Sequence, residues 1–203
     1  MSLLITLTPD LVLNKSLSHY VNLLKKETSK PANLFWYKSS DYLVTLNFVA
    51  HIEPEQSQEL ISILNDKVPG IGKISLNMKQ INYFPNEKGR TLVAYLDSST
   101  KLKSLHHTVS QSLGIVGFDN DLRNYRPHIS LVGCKKDEDK LNELPEYEYS
   151  DKIIYESIDV FKVSFEGKQR IIERITRGRN CIHKLEKEVG SLEKDLERKE
   201  DYF

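Results

Sequence analysis

Tyr125-Arg126-Pro127-His128-Ile129-Ser130-Leu131 sets a histidine and a hydroxyl two residues apart at the start of an alternating apolar run. Successive side chains of a strand point to opposite faces, so His128 and Ser130 share one face while Ile129 and Leu131 enter the core behind them. An earlier stretch, Leu43-Val44-Thr45-Leu46-Asn47-Phe48, has the same alternation, with Thr45 at the place of the hydroxyl and Leu43 at the place of the histidine. The two stretches lie 85 residues apart, from 43 to 128. Together they read as one and a half copies of a two-histidine site.

The surrounding pattern predicts how these strands are framed. A short strand is expected at 3–7 and a helix at about 14–26, with Leu17, Tyr20, Val21 and Leu24 on one stripe. Residues 34–48 are strand-rich, interrupted by the polar turn Lys38-Ser39-Ser40-Asp41. A helix follows from Pro54 to about Lys67, then strands at about 73–83 and 91–96. Ser98 or Ser99 is placed to cap a helix carrying Leu102, Leu105, Val109 and Leu113, with Gly114 as its stop. Two further strands are expected near 153–165 and 169–176. Strand, helix, strand, strand, repeated twice, predicts an α+β fold: two pseudo-symmetric lobes of mainly antiparallel sheet with flanking helices around a central cleft.

Composition narrows the classes of function. Of 203 residues, 39% are hydrophobic, enough for a packed core. Lys+Arg and Asp+Glu balance at 29 each, so any phosphate site has to be a local patch rather than a bulk positive field. Cys134 and Cys181 have no metal-like spacing, and no metal or other cofactor is implied. No apolar run approaches the ~20 residues of a membrane span, and no cleavable signal opens the chain. The expectation is a cytoplasmic protein without membrane association.

Over roughly residues 1–176 these segments resemble the LigT-like 2H phosphoesterases, the RNA 2′,3′-cyclic phosphodiesterases also called 2′-5′ RNA ligases. The resemblance is strongest across 102–133, where a Leu-x-x-Leu helix and a glycine precede Tyr-x-Pro-His-Ile-Ser-Leu, and it extends to the run Thr45-Leu46-Asn47-Phe48. In that family each half donates His-x-Thr/Ser to one cleft. One imidazole takes a proton from water and the other protonates the departing sugar oxygen. The hydroxyls hold the nonbridging phosphate oxygens.

Carried onto this chain, the resemblance makes His128 the catalytic residue. Thr45 and Ser130 become the phosphate-binding hydroxyls, with Leu43, Tyr125 and Arg126 as further substrate contacts. Leu43 cannot move a proton, and Gly133 stands where many relatives carry an arginine. The implied ligand is RNA or a nucleotide with a cyclic or 2′-5′ phosphate. Two outcomes stay open: a weakened phosphodiesterase, or an inactive protein that binds nucleotide ends or scaffolds an assembly. Arg123, Arg126 and Lys135 are candidates for local positive charge.

Other histidines read as poor substitutes. His51 shares the parity of Leu43 but lies eight residues, ~26 Å of strand, further along. His106 and His107 fall on the helix ending near Gly114, where His107 faces away from the leucine stripe; both read as surface or boundary residues. His19 and His183 sit among polar neighbours.

Beyond residue 177 the pattern changes. Ile182, Leu185, Val189, Leu192 and Leu196 recur at spacings of 3, 4, 3 and 4, a coiled-coil period. Residues 1–177 are therefore expected to form the phosphoesterase-like domain, and 178–203 a separate amphipathic helix. Its stretch 181–200 would pack on its own domain, a second copy, or another protein.

Overall fold

The structure is a computed structural model that describes residues 1–9, 11–28, 33–119, 125–141, 143–147, 152–163 and 169–176. The heptad-patterned tail and Arg123 lie outside the described residues.

Ten strands and three α-helices follow one another in these residues. They are β1 (Ser2–Leu7), α1 (Leu11–Glu27), β2 (Leu34–Trp36), β3 (Val44–Val49), α2 (Pro54–Lys67), β4 (Ile74–Leu76) and β5 (Met78–Phe84). The remainder are β6 (Thr91–Leu96), α3 (Thr100–Ile115), β7 (His128–Cys134), β8 (Ile153–Tyr155), β9 (Ser157–Val163) and β10 (Gln169–Thr176). The main sheet has the order β10-β9-β1-β3-β7-β6-β5, with β2 also on β7, and β4 pairs β8 separately. Every pairing is antiparallel. This is the α+β architecture of mainly antiparallel sheet with flanking helices that the sequence pattern predicted.

Alternation decides the faces. Leu3, Ile5 and Leu7 of β1, Val44 and Leu46 of β3, and Ile129 and Leu131 of β7 all enter one buried cluster. The helices supply the other side of it through Leu13, Leu17 and Tyr20 of α1, Leu60 and Leu64 of α2, and Leu102, Leu105 and Val109 of α3. Each leucine-sized side chain withdrawn from water this way stabilises the fold by ~1.5–3 kcal/mol.

Two local features depart from the sequence reading, and a choice it left open is settled. The expected strand at 73–83 is two strands in two sheets. They separate at Asn77, whose backbone N–H and side-chain amide both donate to the Asp97 carboxylate, at 2.9 and 2.8 Å. The N-cap of α3 is Ser99, whose Oγ accepts from Leu102 N–H at 3.2 Å. Its stop is Gly117 rather than Gly114. Gly117 takes φ +92°, where a side chain would be strained, and Phe118 N–H reaches back to Leu113 C=O at 3.0 Å.

On the sheet face away from the main core, Asp159 is 0% exposed. Arg174 donates to both its oxygens, at 2.6 and 2.8 Å, and Thr8 Oγ1 donates to Oδ2. The pair ties β10 to β9 at the register that places Arg174 opposite Asp159.

Candidate active site

β3 and β7 meet at one residue pair, Val44 opposite Ile129. An antiparallel pair has a local twofold axis through its paired residues. About Val44 and Ile129 that axis exchanges residue 43 with 128 and residue 45 with 130. Val44 and Ile129 point into the core, so Leu43, Thr45, His128 and Ser130 share the opposite face. The symmetric counterpart of His128 is thus Leu43, and that of Ser130 is Thr45. Leu43 is 8% exposed and stands outside the main core cluster.

Beyond the Val44–Ile129 pair the two strands part, and a cleft of ≈ 670 Å³ opens between them. Thr45, Asn47 and Phe48 line it from β3. Tyr125, Arg126 and His128 line it from the start of β7, with Phe84 and Pro85 at the end of β5. His106 enters from α3. The cleft therefore brings together His128, Thr45, Tyr125 and Arg126. Leu43 and Ser130 lie outside its lining, on the other side of the Val44–Ile129 pair; Ser130 pairs instead with buried Val93 of β6.

His128 is positioned by its own backbone and by one aromatic ring. Its Nδ1 lies 2.7 Å from the Arg126 carbonyl, which only accepts, so Nδ1 carries the proton and Nε2 the lone pair. The imidazole stacks on Phe84, with centroids 4.1 Å apart and planes 26° from parallel. Burial pulls its pKa below the usual 6.5, against the smaller opposing effect of the Arg126 carbonyl. At neutral pH the result is an uncharged imidazole in the tautomer a general base requires.

Tyr125 ties the two sides of the cleft together. Its hydroxyl donates to Thr45 C=O at 2.9 Å, bridging the cleft from the β7 side to β3. Burial keeps that hydroxyl protonated by raising its pKa well above its ordinary value. Arg126 donates from Nη1 to Pro85 C=O at 2.9 Å, which fixes its guanidinium near the mouth.

Two sequence expectations change. His106 is a lining residue rather than a surface one, stacked on Tyr125 with centroids 4.2 Å apart and planes 13° from parallel. The signal was present: a residue four places after Leu102 lies only ~40° around the helix from it, on the edge of the buried stripe. Lys135 is exposed, follows the far end of β7 from His128, and adds no charge to the cleft. His51 and His107 are exposed, as expected.

A second recess of ≈ 340 Å³ adjoins the cleft and shares Tyr125 and Arg126 with it. It adds Lys79 and Lys103, so three cations line it with no carboxylate among the lining residues. The Arg126 charge is felt there by Tyr95, where it partly offsets the rise that burial causes in the tyrosine pKa.

The fold recurs in solved structures. The Thermus thermophilus protein TT0787 superposes with a TM-score of 0.73 at 14% identity, covering 88% of this chain and 98% of that one. LigT of E. coli in apo form gives 0.68 at 14% identity, with 88% and 98% covered. Its complex with 3′-AMP gives 0.68 at 14% identity, with 87% and 98% covered. At such identities these likenesses establish the fold. A sequence profile described as the 2′-5′ RNA ligase superfamily matches residues 44–160, a span that opens at the Val44 end of β3 and takes in His128 and the whole cleft. With more than half its length matched, the chain belongs to the 2′-5′ RNA ligase superfamily.

Proposed function

We propose that the protein acts on 2′,3′-cyclic or 2′-5′-linked phosphate ends of RNA or nucleotides, as a phosphodiesterase weakened by Leu43 at the first histidine position. The observation that carries this is His128: a neutral imidazole in the base tautomer, lining a cleft that also receives Thr45. Water gives its proton to Nε2 as its oxygen bonds to phosphorus, and the bond from phosphorus to the sugar oxygen breaks. Thr45, Ser130 and the Tyr125–Arg126 pair are the proposed contacts of the phosphate and its sugar. E. coli LigT, which shares this fold, is known in complexes with 3′-AMP, ATP and NADP+. That supports a nucleotide in the present cleft.

Lys79 and Lys103 favour an RNA end over a mononucleotide, because they add positive charge in a recess that adjoins the cleft and shares Arg126 with it. The test is hydrolysis of a nucleoside 2′,3′-cyclic phosphate by wild type and His128→Ala. Turnover that disappears with His128 supports the reading.

Leu43 favours a second reading, a catalytically inactive protein that binds nucleotide or RNA ends or scaffolds an assembly through residues 181–200 as a homodimer or with a protein partner. Inert wild type that still binds 3′-AMP would select it. Sedimentation of the full chain against a truncation after Arg179 tests the assembly.

A further inference from the structure

We infer that His106 is the second proton carrier of this cleft, the general acid that protonates the leaving sugar oxygen in place of the histidine absent at Leu43. The inference rests on the phosphodiesterase reading above and deepens it.

Cleavage of a phosphodiester needs a proton donor as well as a base, because an alkoxide is a poor leaving group. His128 is committed to the base role by its Nδ1 contact with the Arg126 carbonyl. The symmetric position holds Leu43, which has no proton to give. The donor has to come from elsewhere in the lining, where the titratable or charged groups are His106, Tyr125 and Arg126 beside His128 itself. Arg126 does not release its proton in a protein. Tyr125 has its hydroxyl in a bond to Thr45 C=O, and burial raises its pKa far from neutrality. His106 is left as the one described lining group, other than the base, whose side chain ordinarily titrates near neutral pH.

Its placement suits the role. His106 stacks on Tyr125, and Tyr125 is bonded to Thr45 of β3. His128 stacks on Phe84 of β5 instead. The two imidazoles thus enter the cleft from different elements, α3 and β7, and stack on different rings, as approach to phosphorus from two sides requires. Tyr125 is three residues from His128, at most ~11 Å of chain, and both imidazoles line the same cleft. Stacking holds an imidazole by its faces and directs its nitrogens along the ring plane. The step balances: one proton passes from water to His128 as the P–O bond to water forms. One passes from His106 to the sugar oxygen as its bond to phosphorus breaks, and solvent restores both histidines.

The experiment compares wild type, His106→Phe, His128→Ala and the double variant Leu43→His/His106→Phe on two substrates across pH 5 to 9. Phenylalanine keeps the stack on Tyr125 and removes the proton. On a nucleoside 2′,3′-cyclic phosphate, His106→Phe is expected to lower kcat ~10²-fold and to abolish the alkaline limb of the profile. On a p-nitrophenyl phosphodiester, whose leaving group needs no proton, the loss is expected to stay under ~10-fold; Leu43→His is expected to restore the cyclic-phosphate rate. Equal loss on both substrates, or no loss, overturns the role of His106 while the phosphodiesterase reading stands. Wild-type turnover no greater than that of His128→Ala overturns the reading and the role of His106 with it.

Discussion

Thr45 and His128 each stand one residue from the Val44–Ile129 pair, on the same face of the sheet and on the two strands that part there. The cleft exists because β3 and β7 stop pairing at that point, and its chemistry is whatever those two strands and the adjoining helix carry into the gap.

Leu43→His is expected to change kcat on a nucleoside 2′,3′-cyclic phosphate by less than ~10-fold while His106 is present, and to raise it ~10²-fold in the His106→Phe background, the low end of a general acid–base contribution. The gain should come with a lower melting temperature, since an imidazole would replace a side chain only 8% exposed. Steady-state kinetics and a thermal melt check both halves.

His128 carries a pH signature of its own. Its folded pKa lies below the unfolded 6.5, so the unfolded chain binds the proton first. Its contribution is neutral above ~6.5, and stability falls as pH drops through the window between 6.5 and the folded value. The rate limb due to the base likewise lies below 6.5. Denaturant melts at pH 5 and 7.5 should show a smaller acid-side loss for His128→Phe than for wild type.

Tyr125→Phe keeps the stack on His106 and removes the bond to Thr45 C=O. A hydrogen bond of this kind is worth ~1 kcal/mol, which in a chain of this size corresponds to about 2–4 °C in Tm. A larger effect on kcat than on stability is expected, because that bond sets the width of the cleft.

Arg174→Ala leaves buried Asp159 with Thr8 as its remaining hydrogen-bond partner among the described residues. The cost should be about 3 kcal/mol, toward the low end for an orphaned buried charge because Arg174 itself is half exposed. Asp159→Asn with Arg174→Ala should recover part of it, measured by urea unfolding.

Lys79→Glu with Lys103→Glu should leave kcat/KM on a cyclic mononucleotide near wild type. On a cyclic-phosphate-ended oligonucleotide it should fall at least ~10-fold at low salt, with a shallower dependence on ionic strength.

The sheet face of each motif residue was legible because a period of two leaves no freedom: once Val44 and Ile129 are buried, residues 43, 45, 128 and 130 follow. The helices were legible through the longer period of the α-helix, their stripes matching the buried residues of α1, α2 and α3. What escaped depends on contacts distant in sequence. His106 became a site residue only because Tyr125, 19 positions later, returns to stack on it. The break at Asn77 needed Asp97 to receive it. Gly117 rather than Gly114 ends α3 because the stop is set by Phe118 bonding back to Leu113, a geometry that two nearby glycines do not separate in sequence alone. Lys135 looked near the site by numbering, yet seven residues of β7 carry it ~23 Å away.

Val44–Ile129 is the one ladder pair described between two halves of the main sheet, β3 with β1, β9 and β10 on one side and β7 with β6, β5 and β2 on the other. Away from that pair each half keeps its own partners, β3 on β1 as far as Val49 and β7 on β6 as far as His128. The cleft is thus a seam in a sheet whose two banks are each built independently. Thr45 and His128 face one another beside the last stitch, while Phe48 and Arg126 stand several residues out along the seam, so the reacting groups are fixed by the junction and the rest of a ligand meets the banks.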